Sequence, residues 1–223
     1  MAIVVVGGHT RSVGKTSVVG GLIAAMPEMR WTAMKVTQFG HGVCSANGEP
    51  CDCETADHAM AVSEEKRPAK DADPRELTDS ARYLTAGAVR SLWVRTRQGE
   101  LVEAMPRIRR EMEAAENVIV ESNSILRFLQ PDVYLSVLDP AVRDFKESAK
   151  RYLDRADAVL TPNGVIDATS WEAISPRLVS RVRVLPIYPP VYVTAEVADF
   201  VRMLIQNRLG ACDRDQVSRG DQI

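Results

Sequence analysis

Apolar residues along the chain fall into short unbroken runs, separated by longer stretches where they recur every three or four positions. The runs at 2–6 (AIVVV), 32–37 (TAMKVT), 89–95 (VRSLWVR), 117–121 (NVIVE), 133–138 (VYLSVL), 157–161 (DAVLT) and 182–187 (VRVLPI) read as strands. Helices are expected at 15–25, about 75–84, 98–115, 142–154, 169–178 and 194–208. Such alternation predicts an α/β fold: a doubly wound, mostly parallel sheet with helices on both faces. The stretch at about 40–74 breaks the rhythm. It holds three of the four cysteines and two of the three histidines, and it runs into the charged segment EEKRPAKDADPRE, which reads as an exposed loop. The expected organisation is one domain over 1–210 with a cysteine-containing insertion at about 40–74. From Ala211 the polar, aperiodic ACDRDQVSRGDQI is expected to form a disordered tail.

Composition narrows the partners. A chain of 223 residues, 45% apolar, lies within the single-domain range for α/β proteins and can bury a sizeable core. Lys and Arg (28) nearly balance Asp and Glu (30), so there is no electrostatic case for nucleic acid or an anionic membrane surface. The expected partner is a small molecule or a protein. No apolar run approaches the roughly 18 residues of a membrane span, and Met1-Ala2 leads into a strand without the charged opening of a signal peptide. The expected location is the cytoplasm, where Cys44, Cys51, Cys53 and Cys212 would not form a disulfide framework.

The chemistry begins at GGHTRSVGKTS, residues 7–17, between the first strand and an apolar helix. Counting back from Gly14-Lys15-Thr16, a standard phosphate loop would place its first glycine at His9. With Gly8 as the first glycine the loop is one residue longer. Strand, glycine-rich turn and Lys-Thr opening a helix form the context in which backbone N–H groups and the helix dipole hold phosphate. The competing reading is a tight turn capped by Thr16 or Ser17 with Lys15 in solvent. On the phosphate reading the nucleotide site comprises Gly8, His9, Thr10, Arg11, Ser12, Val13, Gly14, Lys15, Thr16 and Ser17. Lys15 would bridge terminal phosphate oxygens and Thr16 would ligate Mg²⁺. An apolar strand ending in Glu121 places a carboxylate at the carboxyl edge of a parallel sheet, where open α/β folds bind ligands.

The segment Gly8-His9-Thr10-Arg11-Ser12-Val13-Gly14-Lys15-Thr16 resembles the loop of dethiobiotin synthetase and of the cobyrinic acid amide synthases at both glycines, Val13, Lys15 and Thr16. Partition-type ATPases carry a second lysine early in the loop, where this chain has Thr10. Lys35, leaving the second strand, looks like the lysine that dethiobiotin synthetase and the molybdopterin-guanine dinucleotide accessory GTPase place near the terminal phosphate; a lysine at a sheet edge is the plain reading. Thr78-Asp79-Ser80-Ala81-Arg82, followed by Ala86-Gly87-Ala88, is similar to the accessory GTPase's pattern. Asp79 would then be a Mg²⁺ ligand or water-holding carboxylate, or simply a helix N-cap. Glu121 matches the acid of the Glu-Gly pair in these families, with Ser122 in place of the glycine. Asn163, in Thr161-Pro162-Asn163-Gly164, looks like the residue that reads the nucleobase in this class, while turn chemistry alone also explains it.

The resemblance implies a P-loop NTPase that binds and hydrolyses ATP or GTP with Mg²⁺, works near cofactor biosynthesis or metalloenzyme maturation, and forms a homodimer. Lys15, Lys35 and Glu121 would be its catalytic residues, with Thr16, Asp79 and Glu121 serving the metal. A small-molecule kinase or ligase and a nucleotide-binding adaptor with negligible turnover remain open. The cluster His41, Cys44, Cys51 and Cys53 offers a Cys₃His set suited to Zn²⁺, with His58 as a substitute histidine, or else reduced thiols that only fill space.

Overall fold

The computed structural model describes residues 1–39, 60–69, 71–73, 76–166, 171 and 174–220, the last ten as backbone only. The elements are β1 (Ile3–Gly8), α1 (Lys15–Ala25), β2 (Trp31–Phe39), β3 (Met60–Glu64), α2 (Asp79–Thr85), β4 (Arg90–Arg97) and α3 (Leu101–Glu113). They continue with β5 (Asn117–Glu121), β6 (Val133–Val137), α4 (Glu147–Lys150), β7 (Ala158–Pro162), α5 (Pro176–Val179), β8 (Arg183–Ile187) and α6 (Ala195–Gly220). Among the described residues eight strands form one sheet in the order β3-β4-β2-β5-β1-β6-β7-β8, every pair parallel except β3 against β4.

Period-two alternation divides each central strand between two cores. Val4, Val6, Ala33, Ile119 and Leu135 pack with α1 and α6, whereas Val5, Met34, Val118, Val120 and Tyr134 pack with α3. Because both faces are covered, the strands read as unbroken apolar runs, and Val4, Val5 and Val6 are all fully buried. The register then does something the local sequence does not spell out. Glu121 of β5 lies opposite Val6 of β1 on one side and Lys35 of β2 on the other. The last residue of β5 and the middle of β2 therefore meet beside the point where β1 opens into the loop that leads to α1.

All seven expected strands occur, and the sheet has helices on both faces. The unexpected strand is β3, five residues at the sheet edge whose positions are half-buried or exposed. The helix expected at 142–154 shrinks to the single turn of α4, because the preceding residues bond to the β1–α1 loop instead: Thr10 Oγ1 donates to Asp144, and the Lys146 N–H to His9 O. At the other end of the chain α6 continues through Gly220, into the segment that the sequence reading set apart as a tail. Residues 211–220 contain no proline, and extending an existing helix costs far less than nucleating one. Among the described residues no helix is long and apolar enough to cross a membrane.

Candidate functional site

The loop between β1 and α1 is held from beneath. Gly7 leaves room for Asn123, as a Cβ there would lie 2.1 Å from the Asn123 Oδ1. That oxygen accepts from the Gly8 N–H at 3.0 Å, and the Asn123 amide donates back to Gly8 O at 2.8 Å. Ser12 and Gly14, at φ 53° and 100°, take left-handed backbone and fold the chain into α1. A Cβ on Gly14 would also run into the ring of Tyr192, at 2.2 Å. Among the described residues no side chain caps α1, so the turn is not closed by Thr16 or Ser17. Lys15, Thr16 and Ser17, its first residues, line a cleft of about 770 Å³ at the carboxyl edge of the sheet. The N–H groups of such an uncapped first turn suit an anion.

In that cleft the side chains form a connected polar set. Thr16 Oγ1 donates to Glu121 at 2.8 Å, and the buried Tyr83 hydroxyl donates to the same carboxylate oxygen. Lys35 pairs with Asp79 and stands 3.8 Å from the other Glu121 oxygen. Lys15 donates to the Thr10 carbonyl at 2.7 Å. Burial depresses its pKa, against the attraction of Glu121. Tyr83 is driven the other way: burial and the Glu121 charge raise its pKa well above the usual phenol range, so it remains a donor. Among the described residues the cleft's cations are Arg11, Lys15, Lys35, Arg82 and Lys146, and its acids are Asp79, Glu121 and Glu147. The excess of two positive charges suits a Mg²⁺-complexed polyphosphate in sign and size.

The structure brings together most of the sequence-predicted residues. Gly8, Arg11, Ser12, Gly14, Lys15, Thr16, Ser17, Lys35, Asp79 and Glu121 all line the cleft. Asp79 is not the N-cap of α2; Thr78 is, accepting from the Ala81 N–H at 3.1 Å. Three loop members point elsewhere. Val13 is buried in the core, Thr10 bonds to Asp144, and His9 is fully buried with its ring against Phe145 and Trp171. Asn163 is exposed in a left-handed turn at φ 57° and does not line the cleft. His41, Cys44, Cys51, Cys53 and His58 lie outside the described residues.

Sequence reasoning missed Tyr83, Asn123, Lys146 and Tyr192. Tyr83 had a signal, being four residues after Asp79 on a helix and so on the same face. Asn123 follows Glu121 by two and carried a weaker one; Lys146 and Tyr192 arrive from distant segments and carried none. Tyr83→Phe is expected to lower unfolding stability by about 1–3 kcal/mol, because it leaves a buried charged acceptor short of one donor. Urea denaturation checks this, and an unchanged midpoint would show that the phenol contributes nothing to holding Glu121.

Among the described residues no three His, Cys, Asp or Glu side chains converge as a self-sufficient metal site. The oxygens of Thr16, Glu121 and Asp79 nevertheless fit a hard cation of the kind that takes one or two protein ligands and completes its shell with phosphate and water. No known protein-family model matches the chain, and no curated protein sequence matches it either.

Proposed function

We propose that the chain is a P-loop nucleoside triphosphatase that binds ATP or GTP with Mg²⁺ and hydrolyses the terminal phosphate. The observation that carries this reading is the Thr16–Glu121 pair in the same cleft as Lys15, at the mouth of an uncapped helix. Each part answers a requirement of phosphoryl transfer, which is catalysed mainly by positioning and charge neutralisation. Lys15, already desolvated and bonded to its own loop carbonyl, would exchange Thr10 O for phosphate oxygens. Lys35, kept in place by Asp79, would face the terminal phosphate from the β2 side. Thr16 and Glu121 would hold Mg²⁺, which when bound neutralises phosphate charge. Tyr83 and Lys35 keep the Glu121 carboxylate fixed for that task.

Calorimetric titration with ATP and GTP, with and without Mg²⁺, together with phosphate release, tests this. Absence of binding to either nucleotide at millimolar concentration would overturn the reading. A second reading has one observation in its favour. The cleft runs past Lys35 to Thr37, Gln38, Gln98 and Ser124, leaving polar space for a phosphate acceptor. On that reading the protein is a small-molecule kinase or ligase, and turnover appears only when the acceptor is added.

A further inference from the structure

The segment from the end of β6 to α4 is fastened to the β1–α1 loop by more contacts than a connector requires. The His9 N–H donates to Val137 O at 3.2 Å, and His9 O accepts from the Lys146 N–H at 2.8 Å. The His9 ring lies between two carbonyls, Nδ1 at 3.4 Å from Val137 O and Nε2 at 3.3 Å from Val142 O. Its ring centroid is 5.3 Å from those of both Phe145 and Trp171. Trp171 in turn donates to Val142 O at 2.8 Å, and Asp144 accepts from Thr10 at 2.8 Å. Holding phosphate requires none of this. The residues that lengthen the loop beyond the standard spacing turn their side chains away from the cleft and bind the neighbouring segment.

What the fastening delivers is Lys146. Its backbone is tied to His9, and its half-buried side chain forms part of the cleft wall that Arg11 and Lys15 also line. Among the described residues no carboxylate lies within ion-pairing distance of its ammonium. An unpaired, partly desolvated cation beside other cations is costly unless an anion comes to it. We propose that Lys146 is a further phosphate-binding residue, held against the cleft by His9 and Thr10, and that its ammonium contacts a phosphoryl oxygen of the bound nucleoside triphosphate. This inference rests on the nucleotide reading above.

The surroundings give it a signature in pH. Burial first, then Lys15 and Arg11 on the facing loop, push the Lys146 pKa down to about 8, with partial relief from Asp144 on its own segment and Glu121 on β5. A phosphate beside the ammonium favours the proton, so binding near pH 8 draws a proton onto Lys146. Affinity accordingly falls as pH rises through about 8. Arginine stays charged throughout this range and has no such transition.

The experiment is calorimetry of full-length wild type, Lys146→Ala and Lys146→Arg with ATP and GTP plus Mg²⁺ between pH 7 and pH 9, in buffers of different ionisation enthalpy, with Lys15→Ala alongside. The expected result at pH 7 is a loss of about tenfold to a hundredfold for Lys146→Ala, the size of one charge-assisted bond. Lys146→Arg should stay within a few-fold of wild type while taking up less proton than wild type at pH 8, the difference being the share carried by Lys146. If Lys146→Ala fails to fold by circular dichroism, the wild-type and Lys146→Arg proton counts still decide. Wild-type affinity in Lys146→Ala, or equal proton uptake in wild type and Lys146→Arg, overturns the Lys146 assignment alone when Lys15→Ala has lost binding. Failure of the wild type to bind either nucleotide overturns this assignment and the function together.

Discussion

Lys15→Ala is expected to bind neither ATP nor GTP measurably, with a loss of at least about a hundredfold, while keeping the wild-type fold. Lys15 lines the cleft at the start of α1, and its ammonium donates to the Thr10 carbonyl. Phosphate would give it charge-assisted bonds worth roughly 1.5–3 kcal/mol each, and two of them already exceed a factor of a hundred. Stability should be spared for the reason that makes the residue effective. Burial disfavours its charge in the folded protein, so removing it takes away a desolvation cost along with the contact to Thr10. Calorimetry and thermal melting read the two halves separately. Wild-type affinity in the variant would sink the phosphate-loop reading.

The second large effect concerns the metal. Glu121→Gln keeps the size of the side chain and an oxygen able to accept from Thr16 and Tyr83, but it removes the charge between Thr16 and Lys35. The apparent Mg²⁺ affinity should therefore fall by about 10–100-fold. Nucleotide binding measured in the presence of a chelator should change much less, because Lys15 and the α1 N-terminus remain intact. The measurement is a Mg²⁺ titration of phosphate release beside a metal-free binding isotherm. An unchanged titration would remove Glu121 from the metal site, and an equal loss in both would make its role a general one in holding the cleft together.

How much of this was legible in the sequence follows from how local each signal is. The strands were readable because two covered faces leave no polar positions in runs such as Val4-Val5-Val6. β3 was not, since an edge strand with only Val62 against the core has neither a continuous run nor a clean alternation. The spacing of Gly8, Gly14, Lys15 and Thr16 announced the loop, and those four residues do line one cleft. A linear motif cannot show which way a side chain points, however, so His9 and Thr10 were assigned to the nucleotide when they face the β6–α4 segment. Glu121 was recognisable as a strand end and Lys35 as a strand residue, although β2 runs on to Phe39; their proximity depends on parallel register across β2 and β5. The lost helix at 142–154 has the same origin as the turn of the His9 ring away from the cleft. Residues with helical periodicity were claimed by long-range bonds to the loop, and tertiary contacts outweigh a weak propensity.

The antiparallel return of β3 has a consequence for the part of the chain that carries the cysteines. β2 ends at Phe39 opposite Arg97, and β3 begins at Met60 opposite Thr96, on the two flanks of the same stretch of β4. Residues 40–59 therefore depart from and rejoin the sheet at points about two strand spacings apart, roughly 10 Å. Both points lie on the carboxyl side of the sheet, where β2 ends four positions beyond the level at which Lys35 faces Glu121. Had β3 run parallel, the chain would have had to cross the full length of the sheet to rejoin it. With the attachment points this close, doubling the length of the intervening segment costs only about 0.6 kcal/mol in closure entropy. Evolution or a protein engineer can replace that segment as a cassette without altering the register of either strand that it joins.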